Sequence, residues 1–71
     1  MREVEINKEP VELYKILKFE GLAENGGSAK LMIGEGGVRV NGEVETRKRR
    51  KIVSGDTIEF QGVTLKVLLH P

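Results

Sequence analysis

The chain has 71 residues with 38% hydrophobic and 32% charged side chains, a formal net charge of +1 and no cysteine. Its length suits one small core, so we expect a single domain over residues 1–71. The composition is too apolar and too nearly neutral for a disordered protein. No apolar run is long enough to span a membrane, and a disulfide scaffold, a thiolate metal site and a cysteine nucleophile are excluded. We expect a cytoplasmic protein that does not contact membranes.

The charges are unevenly distributed along the chain. Residues 30–51 carry seven basic and three acidic side chains, whereas residues 1–29 carry four and six, and residues 52–71 carry one and two. The middle third therefore holds the positive potential, and a negatively charged partner would approach it there.

The first third of the chain predicts a strand and a helix. Alternating polar and apolar residues indicate a short half-buried strand over residues 3–6. Pro10 suits the first turn of a helix over about residues 10–20, which ends near Gly21. Its apolar stripe consists of Leu13, Ile16 and Leu17, while Val11, Lys15 and Lys18 lie on the opposite side.

A second, shorter helix follows a turn at residues 25–28. Either Asn25 or Ser28 could cap it. The apolar stripe is Ala29, Met32 and Ile33, with Lys30 and Leu31 pointing away from it. Glycines at 34, 36 and 37 stop this helix after about two turns, so only packing can stabilise it.

Two hairpins are predicted in the second half. Asn41-Gly42 is a strong turn signal within residues 38–44, but two registers remain open. A two-residue turn pairs Val40 with Glu43, whereas a three-residue loop pairs Val40 with Val44. Around Gln61-Gly62, a two-residue turn pairs Phe60 with Val63 and Ile58 with Leu65, with all four on one face.

The strongest chemical signal is the run of five consecutive cations at residues 47–51, here called the basic loop. Like charges this dense repel one another, so we expect these side chains to stabilise nothing in the fold. A phosphate backbone is the commonest partner that rewards such a run. A solvated loop is an equally simple explanation, and a nuclear-import signal is a third.

Two further cations flank the glycine-rich turn before the first hairpin. Lys30 and Arg39 could join the basic loop in one electropositive surface if helix and hairpin pack together. Alternatively, each pairs with a local carboxylate such as Glu35 or Glu43. The turn before the second helix could hold a phosphate on its open N–H groups, or could simply be a flexible loop.

Two motifs resemble the S4 RNA-binding domain. They are Ala29-Lys30-Leu31-Met32-Ile33 and Gly36-Gly37-Val38-Arg39-Val40-Asn41-Gly42, followed by Gly55-Asp56 before an apolar strand. Leu13 and Leu17 fit the family's first helix, and the similarity runs from about Leu13 to Phe60. The short length, Gly26-Gly27 and the basic stretch after Asn-Gly resemble the short, free-standing bacterial members. Larger members often have Ser-Arg where this chain has Asn25-Gly26, so one phosphate-contacting arginine is absent.

The resemblance implies an α+β fold in which two short helices pack on a small, mostly antiparallel sheet, the S4 or alpha-L RNA-binding motif. It implies a ribosome-associated or transfer-RNA-associated module that grips structured RNA through phosphates, without catalysis or cofactor. We expect a monomer that binds neither metal nor a small-molecule substrate. The candidate RNA-binding residues are Lys18, Gly27, Ser28, Lys30, Arg39, Asn41, Arg47, Lys48, Arg49, Arg50 and Lys51.

Catalysis has little support in the sequence. The sole histidine, His70, lies beside the C-terminus, where we expect the chain to fray. The glycines at 34–37 do not form a nucleotide-binding motif, and the Glu43 and Glu45 carboxylates have no reason to be buried. The alternative function is a protein adaptor that uses exposed apolar residues (Leu31, Val11 or Phe19) together with the cations.

Overall fold

Two helices cover one face of a five-stranded sheet in the computed structural model, which describes residues 1–70. The elements are β1 (Arg2–Ile6), β2 (Val11–Glu12), α1 (Leu13–Phe19), α2 (Gly26–Gly34), β3 (Val38–Val40), β4 (Glu43–Val44), β5 (Lys51–Ile52), β6 (Thr57–Phe60) and β7 (Val63–Leu69). The sheet order is β1-β7-β6-β3-β4, while β2 and β5 form a separate ribbon. Among the strands of residues 1–70, only β1 and β7 pair in parallel, so the expected mostly antiparallel α+β fold is confirmed.

Buried and exposed side chains alternate along the strands, and the buried ones define the sheet face that the helices cover. Val38 and Val40 on β3, and Ile58 and Phe60 on β6, are buried in one core with the apolar stripes of both helices. Because side chains alternate between faces, Arg39 lies on the opposite, solvent-exposed face of the sheet.

The first helix begins later than its sequence pattern predicts. Val11 and Glu12 do not lie in α1; they pair in antiparallel register with Ile52 and Lys51 of β5. Ile52 is fully buried, and the β-branched Val11 packs against the core beside it, which favours the extended backbone over another helical turn. The helix ends as expected, before Gly21 in the left-handed region with φ of +74°.

The second helix begins earlier than a turn at residues 25–28 would allow. The Asn25 side chain accepts a hydrogen bond from the backbone N–H of Ser28 at 2.8 Å, so Asn25 is the cap. Gly26, Gly27 and Ser28 therefore form the first turn of α2 and not a loop before it.

Both hairpins turn through two residues with left-handed backbones. Val40 pairs with Glu43 and Phe60 with Val63, which confirms the second hairpin and selects the two-residue register for the first. The φ angles are +53° and +85° at Asn41 and Gly42, and glycine tolerates such values at no steric cost. The Asn41 side chain accepts from the Thr57 N–H at 2.9 Å and donates to Asp56 at 3.0 Å, so it ties the first hairpin to β6.

These hydrogen bonds predict different costs for one substitution at two equivalent turn positions. Asn41→Gly keeps the left-handed backbone accessible but removes both side-chain hydrogen bonds, so we expect a loss of about 1–2 kcal/mol in the free energy of unfolding. Gln61 occupies the same turn position, also with positive φ, and its side chain forms no hydrogen bond within the described residues. Gln61→Gly should stay within about 0.5 kcal/mol of the parent protein in urea denaturation. Equal losses in the two variants would contradict the role given to Asn41.

Candidate nucleic-acid interface

The basic loop is docked on the N-terminus of α1. The Leu13 N–H donates to the Arg50 carbonyl at 2.9 Å, and the Tyr14 N–H donates to the Lys48 carbonyl at 3.2 Å. The side chain of Glu12, at the N-cap position, forms no capping hydrogen bond. Carbonyl groups of the basic loop thus satisfy donors that every helix leaves unpaired in its first turn, and the loop is fixed against the helix.

A buried carboxylate holds the loop from within. Glu45 is only 6% exposed, and its carboxylate accepts from Arg47 Nε and Nη2, both at 3.0 Å, and from Arg50 Nη1 at 2.6 Å. The backbone N–H of Arg47 donates to the same carboxylate. The expectation that the cations of residues 47–51 stabilise nothing is therefore wrong for Arg47 and Arg50. The expectation that Glu45 has no reason to be buried is also wrong, because two guanidinium groups offset its desolvation.

The Tyr14 ring gathers cations from three elements. Its centroid lies 4.5 Å from Lys30 Nζ on α2, 5.5 Å from the guanidinium carbon of Arg49 and 6.0 Å from Lys15 Nζ on α1. We call these four residues the Tyr14 cluster. Cation–π attraction at such distances helps to hold like charges together. Arg49 and Lys15 also pair with Glu12 at 3.3 Å, which lessens their mutual repulsion.

One face of α2 lies beside both the cluster and the loop. Gly26, Lys30 and Gly34 are spaced four residues apart and share this face. A side chain at Gly26 would contact the Tyr14 ring, and one at Gly34 would meet the Lys48 side chain at 3.3 Å. Lys48 therefore reaches the C-terminal end of α2, where the helix dipole favours a cation.

These residues form a continuous basic surface, which we define as Lys15, Lys30 and the basic loop. An open depression in it is lined by Arg47, Arg49, Arg50 and Lys51. Lys30, Lys48 and Lys51 form no ion pair with any carboxylate of residues 1–70, so their charge is available to an anionic ligand.

The remaining candidates take different positions. Arg39 does not join the basic surface, because it lies on the sheet face turned away from the helices, where its Nη1 approaches the Gly42 carbonyl at 3.4 Å. It pairs with neither Glu35 nor Glu43. Lys18 is exposed one turn beyond Tyr14 on α1, with its Nζ 5.9 Å from the exposed Phe19 ring. Gly27 and Ser28 lie in the first turn of α2, directly after Gly26, which lies against the Tyr14 ring.

Sequence reasoning missed four residues of this region: Tyr14, Lys15, Glu12 and Glu45. The sequence does contain a signal for Tyr14. It is an aromatic residue directly after the buried Leu13, yet it lies one helical turn before Lys18 on the polar side of α1, where an aromatic ring can meet cations. No local pattern identifies Glu45, because its partners are defined only once the loop folds back on it.

Other expectations concern the ends of the chain and its apolar surface. His70 is not frayed, because its backbone N–H donates to the Ile6 carbonyl at 2.7 Å. Phe19 and Leu31 are exposed as the adaptor hypothesis needs, whereas Val11 is half-buried. Within residues 1–70 no cluster of His, Asp or Glu is arranged to hold a metal ion, and no helix is long and apolar enough to cross a membrane.

Acid should weaken the fold through Glu45. The side-chain hydrogen bond from Arg47, together with the weaker effect of the bond from Arg50, lowers the pKa of Glu45 to about 2 despite desolvation. Because the pKa in the folded state lies below the ordinary value of 4.5, the stabilisation is complete above about pH 4.5 and is lost as the pH falls towards about 2. Glu45→Gln should therefore cost about 1–3 kcal/mol of unfolding free energy at neutral pH and progressively less in acid. Urea denaturation of both proteins across this range measures the difference, and a gap that stays constant with pH would contradict the assignment.

The sequence is similar to two named bacterial proteins. It is 52% identical over 64 residues to the "Putative RNA-binding protein YbcJ" of Escherichia coli K12, covering 89% of this chain and 91% of the relative. It is 36% identical over 59 residues to the "Probable ribosome maturation protein RlbA" of Bacillus subtilis 168, covering 83% of each.

The fold and the family agree with these relationships. The solution structure of E. coli YbcJ, described as revealing an alfaL motif involved in RNA-binding, matches with a TM-score of 0.73 and 49% identity over 96% of this chain and 87% of that one. The family model of the S4 domain matches residues 4–68. With this family match, this shared fold and these identities, the chain belongs to the S4 domain family.

Proposed function

We propose that this protein binds structured RNA through phosphate contacts from the basic surface. The observation that carries the proposal is that Lys30 and Arg49 meet at the Tyr14 ring beside the first turn of α2, while Lys48 reaches the C-terminal end of the same helix. Ammonium groups without an internal partner bind phosphate without first breaking an ion pair, and the counterions released from RNA add to the affinity. The name and description of YbcJ support the same ligand class.

The aromatic residues favour recognition of RNA shape over reading of single-stranded bases. Phe60 is buried in the core, and the half-buried Tyr14 ring already faces cations. Phe19 is exposed, but a single ring offers no platform for successive bases. A surface of this kind suits the phosphates of a folded RNA helix.

Ribosomal RNA is the ligand we favour over transfer RNA, because the name of the B. subtilis relative refers to ribosome maturation. We further propose that the protein acts by binding alone, as a monomer in the cytoplasm. Crosslinking in cells followed by sequencing of the attached RNA identifies the ligand: enrichment of transfer RNA would redirect this choice, and recovery of protein partners without RNA would favour an adaptor.

A matched pair of double variants tests whether the basic surface is the binding face. Lys30→Gln with Lys48→Gln removes two charges from the surface, and we expect binding of a labelled RNA stem-loop to weaken roughly tenfold or more. The slope of log affinity against log salt should become shallower by about 1.5, because two phosphate contacts are lost. Fluorescence anisotropy over a salt series measures both quantities.

The control removes the same charge from elsewhere on the molecule. Lys8 and Arg39 are exposed and form no ion pair within the described residues, and Arg39 lies on the opposite sheet face. Lys8→Gln with Arg39→Gln should leave the salt slope unchanged and weaken binding only slightly. Equal losses in the two double variants would mean that overall charge, and not this surface, determines binding.

A further inference from the structure

Glu45 lies under the surface proposed to bind polyanionic RNA, yet it carries a negative charge. It is the one charged side chain that is buried within residues 1–70. Both of its oxygens are occupied: Oε2 accepts from Arg47 Nε and from the Arg47 N–H, and Oε1 accepts from Arg47 Nη2 and Arg50 Nη1. A forked guanidinium–carboxylate pair of this kind fixes direction as well as distance.

The carboxylate also fixes the backbone that presents the free cations. The Glu45 N–H donates to the Val38 carbonyl at 2.9 Å, which anchors the residue beside β3. The Arg50 N–H donates to the Arg47 carbonyl at 3.2 Å and closes a turn whose tip is Lys48 and Arg49. Both ends of this turn are thus attached to one carboxylate.

We propose that Glu45 is a positioning residue for RNA binding, which raises affinity by holding the turn that presents Lys48 and Arg49. The inference rests on the proposed function. Long side chains and loops that are ordered only on binding lower affinity, by roughly 2- to 12-fold for each side chain. A turn that is ordered before the RNA arrives avoids much of this loss.

The proposal and simple electrostatics predict opposite signs for one substitution. Glu45→Gln removes a negative charge from beneath an RNA-binding surface and frees Arg47 and Arg50, so electrostatics alone predicts tighter binding. Positioning predicts weaker binding, because the turn is no longer fixed. We expect Glu45→Gln to weaken binding of a labelled RNA stem-loop by about fivefold, with a shallower salt slope.

Glu35→Gln is the matched control. Glu35 is the C-terminal cap residue of α2, directly after Gly34, and it forms no ion pair within the described residues. The same change of charge there should leave affinity equal or slightly higher. All binding is measured well below the unfolding temperature of each variant, so that the protein stays folded and a change of salt slope reports on contacts with the RNA.

The binding measurements distinguish failure of the positioning role of Glu45 from failure of the proposed RNA-binding function. Tighter binding by Glu45→Gln, or weaker binding at an unchanged salt slope, overturns the positioning role and leaves RNA binding intact. Failure of the parent protein to bind the stem-loop in a salt-dependent manner overturns the proposed function itself. Glu45→Asp keeps the charge but shortens the reach, so binding equal to that of the parent would also reject the inference.

A second test uses hydrogen exchange in the parent protein and therefore does not depend on whether any variant folds. The Arg47 Nε–H, which donates to Glu45, should exchange with solvent more slowly than that of Arg49, which bonds Glu12 through Nη1. Equal exchange rates in nuclear magnetic resonance spectra would overturn the proposal.

Discussion

Two sets of hydrogen bonds hold the turn at residues 47–50, and this turn organises the basic side of the molecule. From one side, the Glu45 carboxylate holds Arg47 and Arg50 by their side chains. From the other, carbonyl groups of Lys48 and Arg50 accept from the first N–H groups of α1. A short helix without a side-chain cap needs such partners, and a run of cations needs a nearby anion. The basic loop supplies the carbonyl groups that α1 needs, and Glu45 supplies the negative charge that the basic loop needs.

This arrangement explains how a run of five cations is compatible with a marginally stable small fold. Arg47 and Arg50 are paired with Glu45, and Arg49 lies between Glu12 and the Tyr14 ring. Lys48 and Lys51 keep their charge for solvent or a ligand. Three of the five cations thus have a carboxylate partner, so repulsion within the loop is weaker than the sequence suggests, while the surface still carries an excess of positive charge.

The turns and the core residues were predictable from local sequence patterns, whereas contacts that form only in the folded chain were not. The hairpin turns follow from residues that tolerate positive φ, and the core follows from alternation and helical stripes. The pairing of Val11 with Ile52 joins segments about forty residues apart, so no local window contains it. The partners of Glu45 are only two and five residues away, but they reach its carboxylate only in the conformation that the basic loop adopts when it docks on the N-terminus of α1. The position of Arg39 was predictable from the sequence. It lies between Val38 and Val40, and because these two valines are buried, its side chain must point to the outer face of the sheet.

The motif that signals the family mostly describes the scaffold. Ala29, Ile33, Val38 and Val40 are core residues, and Asn41-Gly42 forms the first hairpin turn. Asp56 accepts from the Val53 N–H and from the Asn41 side chain, so the Gly-Asp element joins two turns. Of the residues in the first motif, Lys30 alone reaches the Tyr14 cluster. A chain can therefore keep the whole signature and still change its ligand, because most of the cations that would grip RNA, Lys15 and the basic loop, lie outside these motifs. Functional comparison within such folds should therefore follow the residues of the proposed binding face, around Tyr14 and at the carboxylate beneath the loop, and not the scaffold motif alone.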